Sequence, residues 1–374
     1  MPTPSEQARA LTPAAIHEAY ELIKPYVHLT PLLTCKTLDQ IASTPQTPEA
    51  LVGTPFEGQT PAKPQIRFHF KCENLQRIGA FKARGAHHAL LRLIQEQGEE
   101  EVKRRGVITH SSGNHAQALA LAASTLNVPA YIVMPEISTA SKIAGTRSHG
   151  AQVIFSGSTS VEREAVVAEI QAKTNAFLIP PYDDFNVICG QGTVALEMVR
   201  QFDEAGKSKD KNFSKKLDAV VTPVGGGGLN AGVATYLSNT KTYVFGAEPS
   251  FQGADDCRRG LRDGARVEKV STLTIADGLR TPVGVLNWEV ISNANKVKGV
   301  YSVTEEQIKA ALRLVLERMK VFVEPSAVVG LAVCLFNEDF RNFVEQEGKV
   351  EGFDIGIVFS GGNTTVEAIA KLFS

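Results

Sequence analysis

Little in this sequence suits a membrane, an oxidising compartment or a polyanion. No apolar run approaches the ~20 residues that a bilayer-spanning helix needs. Residues 1–11 are polar and hold no signal-peptide core. Cysteine is scarce and odd in number: Cys35, Cys72, Cys189, Cys257 and Cys334 are the 5 in 374 residues, and no CxxC pair exists. We therefore expect reduced, mostly packed thiols in a cytoplasmic protein. Charge is balanced, with a formal net charge of -1, so there is no global pull toward nucleic acid or anionic lipid. His87 and His88 lack a Cys or acidic partner at ligand spacing, which points to packing or surface roles and not to zinc. Repeats are absent. The one biased tract, 41–64, holds 5 of the 18 prolines and reads as a surface insertion with little structure of its own.

What is present is alternation. A helix over 12–23 is expected, capped by Thr12 with Pro13 in the first turn. The spacing predicts strands at 66–72, 107–109, 130–134, 152–155, 217–223, 243–247 and 355–359. Helices fall between them at 86–95, 114–125, 141–149, 161–174, 192–202 and from the glycines at 225–228 to 237. Thr304 with Gln307 has capping-box spacing ahead of a further helix. Residues 206–216 carry 5 lysines and read as an exposed loop. Strands alternating with helices imply parallel βαβ units, and short apolar strands suit a sheet covered on both faces.

Four stretches carry chemistry. In Gly79-Ala80-Phe81-Lys82-Ala83-Arg84-Gly85, a lysine sits at a strand-to-helix junction beside an aromatic ring. Burial there would lower its pKa from roughly 10.4 and free an amine to attack a carbonyl; a solvated surface lysine is the plain alternative. Gly225-Gly226-Gly227-Gly228 follows a strand and opens a helix, so its backbone N–H groups suit a phosphate. Four glycines in a row are entropically expensive for a mere turn. No Gly-Lys-Ser/Thr follows, so this is not a Walker loop. A dinucleotide reading is weaker: Glu248 lies 20 residues beyond Gly228, where a ribose-binding acid would sit, but the glycine frame fails. His110-Ser111-Ser112-Gly113-Asn114-His115 occupies another strand-to-helix turn, suited to a carboxylate or to plain N-capping. Ser360-Gly361-Gly362-Asn363 follows the last strand. All four fall at the carboxyl edge of parallel strands, where ligands bind.

Together these stretches resemble fold-type II pyridoxal-phosphate enzymes, closest to the serine racemases and serine/threonine dehydratases. The likeness extends to Gly190-Gln191-Gly192-Thr193, Ala247-Glu248-Pro249-Ser250, Thr274-Ile275-Ala276-Asp277-Gly278 and Glu317-Arg318-Met319-Lys320. It implies an α/β fold of two parallel-rich sheets with helices on both faces. A small domain, 102–184, would be inserted in a large cofactor-binding domain, 1–101 and 185–374. By the same resemblance Lys82 would hold the cofactor as an imine and then act as general base on the α-proton. Gly225 to Gly228 and Leu229 would bind the phosphate, Asn114 the ring hydroxyl, and Phe81 and Gly278 the ring faces. Ser360 would meet the pyridine nitrogen with a neutral hydroxyl, which suits elimination more than transamination.

Substrate contacts implied in the same way are Ser111, Ser112, Asn114, His115, Arg163 and Thr281. Ser112 on the opposite ring face would return a proton and invert the α-carbon. Arg163 would pair a second carboxylate and favour 3-hydroxyaspartate; an exposed helix arginine is the alternative. Glu248, Ala254 and Asp256 would ligate Mg²⁺ or Ca²⁺ through oxygen, although the Phe251-Gln252-Gly253 connection is about two residues longer than the family pattern. Ala80 replaces the usual Ser or Thr before Phe-Lys. The expected function is racemisation, ammonia-lyase elimination, or both, on serine-like amino acids. A threonine or 3-hydroxyaspartate dehydratase, a dinucleotide-dependent oxidoreductase and a silent cofactor-binding protein are the alternatives. A homodimer and a nucleotide effector are further implications of the resemblance.

Overall fold

The computed structural model describes residues 10–111, 113–157, 160–207, 216–348 and 352–374. Two sheets organise it. The larger contains β1 (Leu32–Leu33), β2 (Ile66–Cys72), β7 (Ala219–Pro223), β8 (Tyr243–Pro249), β9 (Gly299–Val303) and β10 (Phe353–Phe359), in the order β1-β2-β10-β7-β8-β9. Only β1 is antiparallel to its neighbour. The smaller contains β3 (Val107–His110), β4 (Ala130–Pro135), β5 (Gln152–Ser156) and β6 (Phe177–Leu178), all parallel in the order β5-β4-β3-β6. β7 and β10 are buried at every position, because helices cover the large sheet on both faces.

The Thr12 cap and the Thr304–Gln307 capping box both form. The helix Phe185–Lys207 starts seven residues before the expected 192. Gly190 and Gly192 look like breakers in the sequence, but they are packing residues. A Cβ on Gly190 would lie 2.6 Å from the Gly85 Cα, and one on Gly192 would lie 2.8 Å from the Gly232 carbonyl oxygen. Three helices therefore cross at backbone contact, and this is what the Gly190–Thr193 motif is for.

The 41–64 tract is more structured than expected. It holds the short helix Pro48–Leu51 and buries Leu51, Phe56 and Ala62. The buried pair Glu338–Arg341 anchors it: Glu338 accepts from Gln46 and from the Ala62 N–H, and Arg341 donates to the carbonyls of Ala42 and Thr44 at 2.7 and 2.8 Å. Its proline content hid this, because the anchors come from a distant helix, with Glu338 276 residues beyond Ala62. The lysine-rich loop expected at 206–216 lies mostly outside the described residues.

Candidate active site

Beyond β2 the chain makes two short 3₁₀ turns, Glu73–Leu75 and Arg77–Gly79, and both Ile78 (φ 57°) and Gly79 (φ 70°) are left-handed. For a β-branched residue this backbone costs about 1–3 kcal/mol. Asn363 holds the turn in place. Its Nδ2 donates to the Ile78 carbonyl at 2.7 Å, and the Gly362 N–H donates to the Gly79 carbonyl at 2.9 Å. A Cβ on Gly79 would stand 2.9 Å from Asn363 Oδ1. The Phe81 N–H donates to the Ser360 carbonyl at 3.1 Å, and Ala80 bridges Gly361. The helix then opens on Lys82 itself, four residues earlier than the sequence pattern suggests.

The Lys82 amine donates to the Pro181 carbonyl at 2.5 Å, 5.3 Å from the Phe81 ring centre and 6.0 Å from that of Tyr182. Burial lowers its pKa to about 8, so roughly a tenth is neutral at pH 7, far more than for a free lysine near 10.4. On the other face of this helix lies a closed charge network. Arg84 donates to both oxygens of Glu73 (2.8 and 2.8 Å) and of Glu197 (2.8 and 2.7 Å). Lys71 donates to Glu197, to Gln201 and to the Thr30 carbonyl. All four charged side chains are essentially fully buried.

The tetraglycine loop leads into the helix Gly228–Leu237. Each of its glycines faces a wall. A Cβ on Gly226 would fall 2.3 Å from Tyr182 Cγ, one on Gly225 would fall 3.0 Å from the Gly278 carbonyl oxygen, and one on Gly227 (φ 91°) would fall 3.0 Å from Asn287 Cβ. Asn287 Nδ2 donates to the Gly226 carbonyl at 2.7 Å. Asp183, next to Tyr182, accepts from the N–H groups of Val285 and Leu286 and so ties the crossover segment to the same wall. Leu229 is buried in the core below the loop.

Asn114 opens the helix Asn114–Thr125. Its Nδ2 donates to Glu324 Oε1 at 2.9 Å, and its Oδ1 accepts from Asn363 Nδ2 at 2.8 Å. The amide orientation is thereby fixed, with a second N–H in reserve. Ser111 Oγ accepts from the Gly113 N–H at 3.2 Å. Ser112 lies outside the described residues. His115 is buried and its Nε2 donates to the Ile179 carbonyl at 3.2 Å, while its Nδ1 has no partner. Burial and then the Lys82 charge push its pKa down to about 3, so it is neutral.

Arg163 is partly buried, and its charge bears on both His110 and Tyr182. Thr281 is partly buried just past the Asp277–Leu279 turn. Ser360 is buried at the end of β10. Glu248, Ala254 and Asp256 form a separate buried cluster. The Glu248 oxygens accept from the N–H groups of Cys257 (3.0 Å) and Arg258 (2.9 Å), and Asp256 accepts from the Val283 N–H at 3.2 Å. The longer connection is absorbed as a 3₁₀ turn, Phe251–Gly253, in which Gln252 and Gly253 take positive φ. Burial first, then the facing Asp256 charge, raises Glu248 well above the ordinary carboxylate range; burial brings Asp256 up to about 6.

Three contributors were not singled out from the sequence. Glu324 is buried and touches Asn114, Asn363 and, through a notional Cβ at 3.9 Å, Gly278. Burial, then Asp277, raises its pKa to about 7. Tyr182 and Asn363 are the others. Asn363 was read only as part of a turn, and Tyr182 carries no local signal at all.

The walled glycine cradle beside a depressed lysine, with an unpartnered imidazole nitrogen nearby, fits a phosphate-bearing aldehyde cofactor. Comparison with known proteins agrees. A family model described as pyridoxal-phosphate dependent enzyme matches residues 51–361, and the chain belongs to this family. Its fold is that of the fold-type II members. The chain is 38% identical over 361 residues to a serine racemase of Arabidopsis thaliana, covering 96% of this chain and 95% of the relative. It superposes on the structure of maize serine racemase with a TM-score of 0.81 at 35% identity, covering 97% and 96% of the two chains. It also superposes on the structure of a threonine deaminase from T.th. with a TM-score of 0.75 at 35% identity, covering 95% and 99%. Among the described residues no helix is long and apolar enough to cross a membrane, and none of the five cysteines is in a disulfide.

Proposed function

We propose that this chain is a pyridoxal-phosphate enzyme that racemises serine-like hydroxy amino acids, eliminates ammonia from them, or does both, converting L-serine to D-serine or to pyruvate and ammonia. One observation carries the reading. Lys82, with a pKa of about 8, lies 5.3 Å from the Phe81 ring centre and 6.0 Å from that of Tyr182, and Tyr182 is also the wall against which Gly226 and Gly228 of the tetraglycine loop pack. In this reading Lys82 holds the cofactor, Gly225 to Gly228 and Leu229 hold its phosphate, and Phe81 and Gly278 flank its ring. The bound cofactor would supply an electron sink for the pair left when the α-proton departs.

The rest is the work of the chain. The partly neutral Lys82 amine accepts the α-proton on one side of the substrate. Ser112 returns a proton from the other side when the centre inverts. Asn114, locked by Glu324 and Asn363, keeps one N–H for the cofactor's ring hydroxyl in this reading. Ser360 offers a neutral hydroxyl where a carboxylate would keep a ring nitrogen protonated. Ser111, Asn114 and His115 line the substrate side.

A threonine or 3-hydroxyaspartate dehydratase is the second reading. The charge of Arg163 acting on His110 and Tyr182 favours it, since a guanidinium there suits a second carboxylate. We also assign Mg²⁺ or Ca²⁺ to Glu248, the Ala254 carbonyl and Asp256. Two facing buried carboxylates are raised by their burial and proximity, and Arg259, whose charge bears on Asp256, is engaged with Asp255. The division at 102–184, the homodimer, the nucleotide effector and the cytoplasmic location belong to the same reading and rest on the resemblance.

The deciding experiment is a panel of L- and D-serine, threonine and 3-hydroxyaspartate, scored for both keto acid and enantiomer alongside the visible band of lysine-bound cofactor. Expected are the band and turnover of L-serine. Lys82→Ala should lose both, and Ser112→Ala should lose inversion while keeping elimination. A colourless protein after incubation with cofactor would end the reading, and keto acid from threonine alone would select the second one.

A further inference from the structure

The geometry points to Lys142 as a positioning residue: it clips the Asp277–Gly278 turn of the six-stranded unit to the Gly113–Asn114 turn of the four-stranded unit, so that the two walls of the cleft close as one. This inference rests on the cofactor-site reading above.

Lys142 and Asp277 form an ion pair between the two units, with the lysine side chain 11% exposed and the aspartate 36%. The lysine is carried on the helix Ala140–Ser148. That helix is wedged on the helix Asn114–Thr125, since a Cβ on Gly145 would fall 2.5 Å from Gln117 Oε1. The ammonium also lies against the turn that precedes Asn114, 3.7 Å from where a Gly113 Cβ would stand. Lys142 therefore moves with the element that presents Ser111 and Asn114.

Asp277 is tied just as firmly to the other side. Its neighbour Gly278 donates its N–H to Ser326 Oγ at 3.0 Å, two residues beyond Glu324. The Asp277–Gly278 turn thus moves with the group that holds Asn114 from below. The charges of both Asp277 and Lys142 bear on Glu324, which places all three in one electrostatic neighbourhood. Without the pair, the hydrogen bonds of Asn114 to Glu324 and Asn363 are left to join the two walls at this point. A small-unit helix carrying a cation to the rim is then a clasp: it sets how tightly the closed cleft holds substrate, and it touches no reacting atom.

The test is a double-mutant cycle on the holoenzyme, with hydrogen exchange on the cofactor-free protein as a second readout. Lys142→Ala and Asp277→Asn should each raise KM roughly 5-fold, near the upper end for a partly exposed pair, and leave kcat nearly unchanged. The double variant should be no worse than the worse single one, and Lys142→Arg should stay near wild type. In cofactor-free protein, both single variants should speed amide exchange over 113–114 and 277–279. Additive effects, or unchanged exchange, would overturn the clasp. A large KM effect of Lys142→Ala with none from Asp277→Asn would overturn it too, since it would make Lys142 a direct substrate ligand. Wild-type protein that shows the cofactor band while the variants behave as wild type defeats the clasp alone; wild-type protein without the band defeats the cofactor reading.

Discussion

Two sets of buried charges, one packed behind the helix that begins at Lys82 and one of acids elsewhere in the fold, are built on opposite plans. Behind the helix, Arg84 and Lys71 meet Glu73 and Glu197 with every donor directed at an oxygen. Burial alone would raise Glu73, but Arg84 outweighs it and holds the carboxyl below its ordinary range. Beside Asn114, Glu324 is raised to about 7, and in a separate cluster Glu248 and Asp256 face each other with their pKa values raised. A closed network fixes backbone and is costly to open. An acid left short of positive charge is poised to take a proton or a cation. The first set is scaffold, and the second is where we propose that ligands act.

The largest break should come from the scaffold side. Arg84→Ala strands two buried carboxylates and should remove about 3–5 kcal/mol of stability, read by denaturant unfolding. A loss below ~1 kcal/mol would show that the two sides do not differ.

Next is Glu324→Gln. In the folded protein Glu324 keeps its proton up to about 7, whereas the unfolded chain releases it near the ordinary carboxylate value of roughly 4.3. Between those values the native state binds more protons. Stability of cofactor-free protein should therefore fall as pH rises through this window, by up to about 3 kcal/mol from this group. Gln cannot titrate, so the variant should lose that part of the slope; an unchanged slope would place the proton elsewhere.

The smallest effect is the cation. Chelator-treated protein given Mg²⁺ or Ca²⁺ should gain roughly 2–4 °C in Tm. Glu248→Gln should abolish the gain, and equal responses in the two proteins would remove the cation from this site.

How much of this was legible in the sequence depended on distance along the chain. Strand-to-helix turns are local chemistry, so Lys82, the tetraglycine loop, Asn114 and Ser360 could each be found from their own neighbours. The strands that bring them together were also visible, because a buried parallel sheet is written in short apolar runs. Glu324, Lys142 and Tyr182 were not. Each is an ordinary residue locally, and each reaches the site through partners far away in the chain, such as Asn114 for Glu324 and Asp277 for Lys142. The start of the helix at Phe185 was missed because glycine in a helix reads as a fault until the facing Gly85 and Gly232 are in view. The two-residue strands β1 and β6 are too short for any period to show.

The position of β10 has a consequence for synthesis. It lies between β2 and β7, yet it comes after them in the chain, and the Ser360–Asn363 segment that follows it clamps the strained turn ahead of Lys82. A polypeptide still emerging from the ribosome can assemble the four-stranded unit early, but its large sheet has a gap until this last strand arrives. The reactive amine is therefore aimed only once residues 353–363 have been made, and chains that stop short of them carry a lysine without an active centre.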